Sequence, residues 1–136
     1  LRWIQLSLVY FCVAVVLGCW MGATHQFQLA PVHAHLNLLG WVTMALTGIL
    51  YHHFPVAAAS RLASWHFWGY NTVLPAMMLA LALMLGGNAG MEPLVGITSL
   101  ALMASIVLFA LNIWRNALPA LVSPRPAAAA AGAPTT

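Results

Sequence analysis

The sequence predicts an all-α fold, a four-helix transmembrane bundle in N-in/C-in orientation, and three observations carry that expectation. The chain has 136 residues, 63% of them hydrophobic and 4% charged, with a mean hydropathy of +0.93. Soluble domains carry about 25% charged residues. A surface this apolar suits a bilayer, which about 20 apolar residues cross as a helix. The apolar residues also fall into four long runs separated by short connectors. Finally, the basic residues are Arg2, Arg61, Arg115 and Arg125, and all fall on one side if the N-terminus is inside, whereas the outer connectors carry only Glu92. That distribution obeys the positive-inside rule and predicts a multi-pass protein of a bacterial-type cytoplasmic (inner) membrane.

The first helix is expected over about 2–23. It is too long for a signal peptide and lacks a small-residue cleavage site, so it is expected to be retained. Without an initiator Met, a few residues are expected to precede Leu1. Gln5, Cys12 and Cys19 recur at heptad spacing, which predicts a face turned to other helices. The two cysteines lie about 10 Å apart along one helix axis, too far for a disulfide, and are expected to be buried small hydrophobes. Gly18 and Gly22 form a GxxxG that predicts a close helix contact. The second helix is expected over about 32–54, with Pro31 suited to a helix start and Pro55 marking the stop.

The third helix is expected over about 62–85. Its aromatic opening, SWHFWGYN, fits an interfacial belt, and Pro75 predicts an interior kink. Gly86–Gly90, GGNAG, reads as a turn. The fourth helix is expected over about 91–114, with Thr98, Ser105 and Asn112 at heptad spacing. Residues 1–117 thus form the predicted four-helix domain. The remainder, 123–136, is a Pro/Ala-rich segment expected to be disordered.

Several chemistries are excluded by composition. There is no basic patch with interleaved aromatics, so no nucleic-acid partner is expected. The single carboxylate, Glu92, leaves no orienting acid for a Ser/His or Cys/His arrangement. No phosphate-binding Gly loop or carboxylate pair occurs, and no catalytic residue is assigned.

What remains is histidine, which is costly inside a bilayer unless partnered. Four of the six lie on the stretch from Pro31 to Pro55, PVHAHLNLLGWVTMALTGILYHHFP. His25, His33 and His35 are expected at the outer face, and His52, His53 and His66 at the inner face. His35 and His52 are about 25 Å apart along a helix, so one ion cannot touch both groups within one chain. On a helical wheel His33, Asn37, Gly40, Met44, Thr47 and Tyr51 share a face, opposite Leu36, Leu39, Val42 and Leu46. A polar and small stripe points toward other helices, and His35 is turned about 200° from it. His66, Tyr70, Val73 and Met77 share a face of the third helix. The short connector is expected to bring His52 or His53 close to His66.

Paired imidazoles on facing helices hold haem iron. Trp41, Met44, Trp65, Trp68 and Tyr70 are available to line a porphyrin slot. Arg61 and Arg115 would meet its propionates, which favours the inner face. Three histidines can instead hold copper or zinc, as His25, His33 and His35 would at the outer face, and His52 or His53 with His66 is a second possible site at the inner one. A blander alternative is that these histidines sit at headgroup level and bind nothing.

PVHAHLNLLGWVTMALTGILYHHFP followed by WHFWGYNTVLP resembles small membrane proteins related to subunit I of the haem-copper oxidase and nitric oxide reductase superfamily. The resemblance covers about 1–115 in hydropathy and is specific in His33–Trp41 and in the YHHFP and HFW segments. It implies that His33 or His35, near the outer end of the second helix, ligates a low-spin haem. It departs from the family in length, since that subunit has about a dozen helices. The helices that supply the second axial ligand, the high-spin haem ligand and the copper site have no counterpart. Oxygen reduction by this chain alone is therefore not expected.

The expected function is that of a b-type haem protein used for electron transfer or diatomic-gas (O2 or NO) binding. A homo-oligomer is expected, because four helices offer little interior for a porphyrin, and a redox partner or oxidase subunits are expected beside it. The rival readings are a copper- or zinc-binding membrane protein without haem and a structural accessory subunit of a respiratory complex.

Overall fold

The computed structural model describes residues 2–119, and the predicted tail, 123–136, lies outside them. The described residues form helices and turns, with no strand among them. Four helices are long and apolar enough to cross a membrane: Arg2–Thr24 (α1), Ala30–His53 (α2), Arg61–Leu85 (α3) and Ala89–Asn116. The last opens with a 3-10 turn and continues as the α-helix Glu92–Asn116 (α4). At 1.5 Å per residue each exceeds the roughly 30 Å of a hydrocarbon core. A one-turn helix, Pro55–Ala58, joins α2 to α3.

The helix ends have local causes. His25 ends α1 with a φ of +55°, the left-handed conformation that commonly follows a helix. Pro31 and Pro93 sit in the first turns of α2 and α4, where a missing N–H costs nothing. Ser60 caps α3 by accepting the Ala63 N–H at 3.1 Å. Gly87 supplies a φ of +107° in the predicted glycine turn. Pro75 lies inside α3, and the helix continues through it.

The helices associate as two antiparallel pairs. Along α1 and α2, glycines of both helices lie at the contact. A Cβ on Gly18 would meet the His33 ring at 2.8 Å, one on Gly40 would meet the Tyr10 ring at 2.7 Å, and one on Gly48 would meet Ile4 at 2.7 Å. Along α3 and α4, Gly69 faces the Ser105 hydroxyl in the same way, at 2.7 Å. Large side chains connect one pair to the other: Trp3 of α1 meets His66, Phe67 and Tyr70 of α3, and Tyr51 of α2 meets His66 and Phe109. These contacts put Arg2, Arg61 and Arg115 at one end, here the arginine end, and His25 and Glu92 at the other.

Two faces differ from expectation. Gln5, Cys12 and Cys19 are exposed, and both cysteines are free. The buried residues of α1 are Trp3, Ser7, Ala14 and Met21. Side-chain polarity misleads here because α1 packs through what is small enough to admit a neighbour. Gly22 of the GxxxG likewise contacts nothing, whereas Gly18 receives an imidazole and not a backbone. By contrast, Thr98, Ser105 and Asn112 are buried along α4 with Leu102.

The second difference lies in α2. Its residues Leu36–Thr43 wind as a π-helix, with wider, i→i+5 turns. A face drawn at 100° per residue therefore drifts. Gly40, Met44, Thr47 and Tyr51 are buried as expected, but Leu36 is buried as well, and His33 and Asn37 are half-buried. Two carbonyls of this stretch accept a side-chain hydroxyl. Thr43 Oγ1 donates to the Leu38 carbonyl at 2.7 Å, and the Tyr70 hydroxyl of α3 donates to that of Leu39 at 3.0 Å.

Gly40→Ala is expected to cost about 1–3 kcal/mol by forcing Tyr10 aside. Gly22→Ala, in open space, is expected to cost nothing. Unfolding of both variants in detergent micelles, compared with wild type, checks this.

Candidate functional site

At the arginine end the side chains build a continuous polar network. Asn112 of α4 is at its centre and is fully buried. Its Nδ2 donates to the Tyr51 hydroxyl at 3.1 Å and to the Ala57 carbonyl at 2.9 Å. Its Oδ1 accepts from Ser60 Oγ at 2.8 Å and from Asn116 Nδ2 at 2.7 Å. An amide has two N–H donors and two acceptor lone pairs, so Asn112 is saturated. It ties α4 to α2, to the connector and to the cap of α3.

Tyr51 extends the network to His66, with its hydroxyl 3.2 Å from Nδ1. Tyr51 thus joins Asn112 and His66, accepting from the first and pairing with Nδ1 of the second. The ring is 2% exposed. Trp3 stacks on it at 4.6 Å, and Phe109 covers it at 5.1 Å with a 35° tilt. Tyr51 and Tyr70 approach it at larger interplanar angles.

His33 is held differently. Its Nδ1 lies 2.9 Å from the Ala14 carbonyl of α1, which can only accept. The proton is therefore on Nδ1, and Nε2 has the lone pair. That lone pair faces Asn37 Nδ2 at 3.3 Å, while the same amide donates to the His33 carbonyl at 2.9 Å. Gly18 leaves the room the ring occupies.

The other predicted residues are dispersed. His35 turns back to the Pro31 carbonyl at 2.7 Å. His25 is exposed in the turn after α1. His52 and His53 are exposed and contact one another, with ring centroids 5.8 Å apart. The expected approach of His52 or His53 to His66 is not made. Tyr51 takes that place, because each residue turns about 100° around the helix and His52 points away. No group of three or more His, Cys, Asp or Glu is close enough to hold an ion among the described residues. The three-histidine arrangement of His25, His33 and His35 is not assembled.

The expected slot lining is dispersed as well. Trp41 meets Phe11 of α1 with ring centroids 4.1 Å apart and a 37° tilt. Met44 is fully buried, whereas Trp65 and Trp68 are exposed. Arg61 is exposed at the start of α3.

Two grooves open beside these residues. One, of about 760 Å³ at the arginine end, is lined by Arg2, Trp3, Tyr51, His52, Ser60 and Ser64 among others. The other, of about 880 Å³, is apolar and runs between α1, α2 and α3, with Leu17, Val32, Leu36, Pro75 and Met78 on its walls. No protein-family model, curated protein or solved structure matches this chain.

The Asn112 network was half visible in the sequence. Tyr51, His66 and Asn112 each lie on a face marked by spacing. Ser60 and the Ala57 carbonyl belong to a connector without periodicity, where a Ser before a helical run is the one signal that could have found the cap.

Asn112→Ala is expected to destabilise the protein by about 2 kcal/mol, because it leaves buried hydroxyls and a carbonyl without partners. Asn116→Ala, which removes one of the four bonds near a helix end, is expected to stay within about 0.5 kcal/mol. Chemical unfolding in micelles separates the two.

Proposed function

We propose that this chain is an N-in/C-in membrane protein that binds a b-type haem through His33 and uses it to bind a diatomic gas such as O2 or NO. The observation that carries the reading is the 2.9 Å hydrogen bond from His33 Nδ1 to the Ala14 carbonyl. Metal-ligating histidines are held in this way, with one ring nitrogen donating to a carbonyl and the other presenting its lone pair. The residues present fit that role. The Asn37 contact to Nε2 is long, at 3.3 Å, and Asn37 keeps its shorter bond to the His33 carbonyl if that contact is given up. Val32 and Leu36, on the same helix as His33, line the apolar groove of about 880 Å³, and His33 does not line it itself, so its ring would have to turn to present Nε2 there. An apolar slot of this size suits a porphyrin face.

A bound haem would supply an iron with an open coordination position. The chain's own residues fix the imidazole through the Ala14 carbonyl and leave Asn37 as the polar group beside the ligating nitrogen. Gas binding is favoured over bis-histidine electron transfer because His35 is bonded back to its own turn and His25 is exposed. The arrangement of Arg2, Arg61 and Arg115 at one end supports the proposed orientation. Kinship with oxidase subunit I, proposed from the His33–Trp41 stretch, supports the outer site. A second copy is proposed against the exposed face of α1, where Gln5 favours a helix partner over lipid.

The purified protein, produced with haem supplied, is expected to show a Soret band that shifts on reduction and on exposure to carbon monoxide. His33→Ala is expected to abolish it, and His52→Ala to keep it. A wild-type protein that folds and shows no such band sinks the reading, and loss in His52→Ala alone moves the site to the arginine end.

A further inference from the structure

The groove at the arginine end is not used by the haem reading, and its surroundings point to another ligand. Arg2 of α1 and the hydroxyls of Ser60 and Ser64 meet on its walls, with His52 at the end of α2. Arg61 begins α3 at the same end, and Arg115 lies in the last turn of α4. The only acidic side chain of the chain is Glu92, which opens α4 at the opposite end. The charge around the groove is therefore positive and uncompensated.

The groove also has a continuation. A second hollow of about 470 Å³ is lined by Ser64, Trp65, Trp68, Gly69 and Thr72. Ser64 and Trp68 belong to both hollows. From Ser64 to Thr72 this path descends α3 for about 12 Å, toward the middle of the span. It runs from a cationic, hydroxyl-lined mouth to an apolar notch between two exposed tryptophans, which are 71% and 63% accessible.

We infer that these two joined hollows bind an anionic phospholipid, with its phosphodiester at Arg2, Ser60 and Ser64 and one acyl chain along the Trp65–Trp68 notch. Charge complementarity selects an anion. The apolar descent along α3 selects an amphiphile over free phosphate. Basic pockets between membrane helices take anionic headgroups in this way, and tryptophan rings sit at that depth of a bilayer. Of the hydroxyls, Ser60 is engaged in capping α3 and in the Asn112 network. Ser64 is exposed and is the hydroxyl available to donate to a phosphate oxygen. The site depends on the chain spanning a membrane and not on haem.

The full-length protein, reconstituted in vesicles of equimolar phosphatidylglycerol and phosphatidylcholine, is extracted and examined by native mass spectrometry. Wild type is expected to retain phosphatidylglycerol in preference to phosphatidylcholine. Arg2→Gln is expected to lower that preference about fivefold, the usual effect of one cation near a membrane surface. Thr72→Trp, at an exposed position in the notch, is expected to lower retention while leaving the fold and the thermal unfolding of lipid-free protein unchanged. Equal retention of the two lipids by wild type, or an unchanged preference in Arg2→Gln, overturns the site. Full displacement of the lipid by inorganic phosphate overturns the amphiphile assignment.

Discussion

The structure at its arginine end depends on one buried amide. Asn112 uses both donors and both acceptors, and each bond goes to a different partner: Tyr51, Ala57, Ser60 and Asn116. In a lipid environment no water is available to replace a missing partner, so buried polar groups must be paired internally. Position, not strength, makes Asn112 central. Individual side-chain hydrogen bonds in membranes contribute only about 0.6 kcal/mol on average. These four converge where α2 ends, where the chain reverses, where α3 begins and where α4 passes. A shift of any one helix along its axis would break several together.

Trp3 closes the same layer from the fourth side. It stacks on His66 and meets Phe67 and Tyr70 edge-on. Each antiparallel pair is held along its length by small residues that let side chains of the neighbour in. The two pairs are joined to each other by aromatic rings, Tyr51 and Trp3 on one side and His66, Tyr70 and Phe109 on the other. Away from that layer, residues of α1, α2 and α3 line the apolar groove. Tyr70 bridges the pairs at mid-span, where it reaches the π-wound part of α2 and pairs with the Leu39 carbonyl.

The four spans were legible because hydropathy and length decide them, and neither depends on how the helices meet. The inward face of α4 was legible too, since Thr98, Ser105 and Asn112 are polar and would be costly against lipid. The inward face of α1 was not. Ser7, Ala14 and Gly18 matter for their small size, and Ala is as apolar as the lipid-facing residues beside it. Polarity pointed instead to Gln5, Cys12 and Cys19, none of which is buried. The face of α2 was misplaced at Leu36 because a π stretch cannot be read from a 100° wheel. His66 was placed on the correct face of α3 and given the wrong partner, because one residue of rotation separates Tyr51 from His52.

The hydrogen bonds of the two engaged histidines decide what each is fit for. His66 Nδ1 is paired with the Tyr51 hydroxyl, so a ligand at that nitrogen would have to release Tyr51, which would in turn disturb Asn112. The residue is 2% exposed and packs against Trp3 and Phe109, so an incoming ion would have to open the layer that joins the helix pairs. His33 is the reverse case. Its protonated nitrogen is anchored on a backbone carbonyl of α1, and its lone pair is met only by a long contact to an amide that has a better acceptor within reach. Giving up that contact disturbs no other helix. A histidine inside a membrane is costly in either setting, but only the second leaves a nitrogen whose engagement by a ligand is compatible with the rest of the fold. The outer assignment therefore draws its support from tautomer and packing together, independently of where the arginines lie.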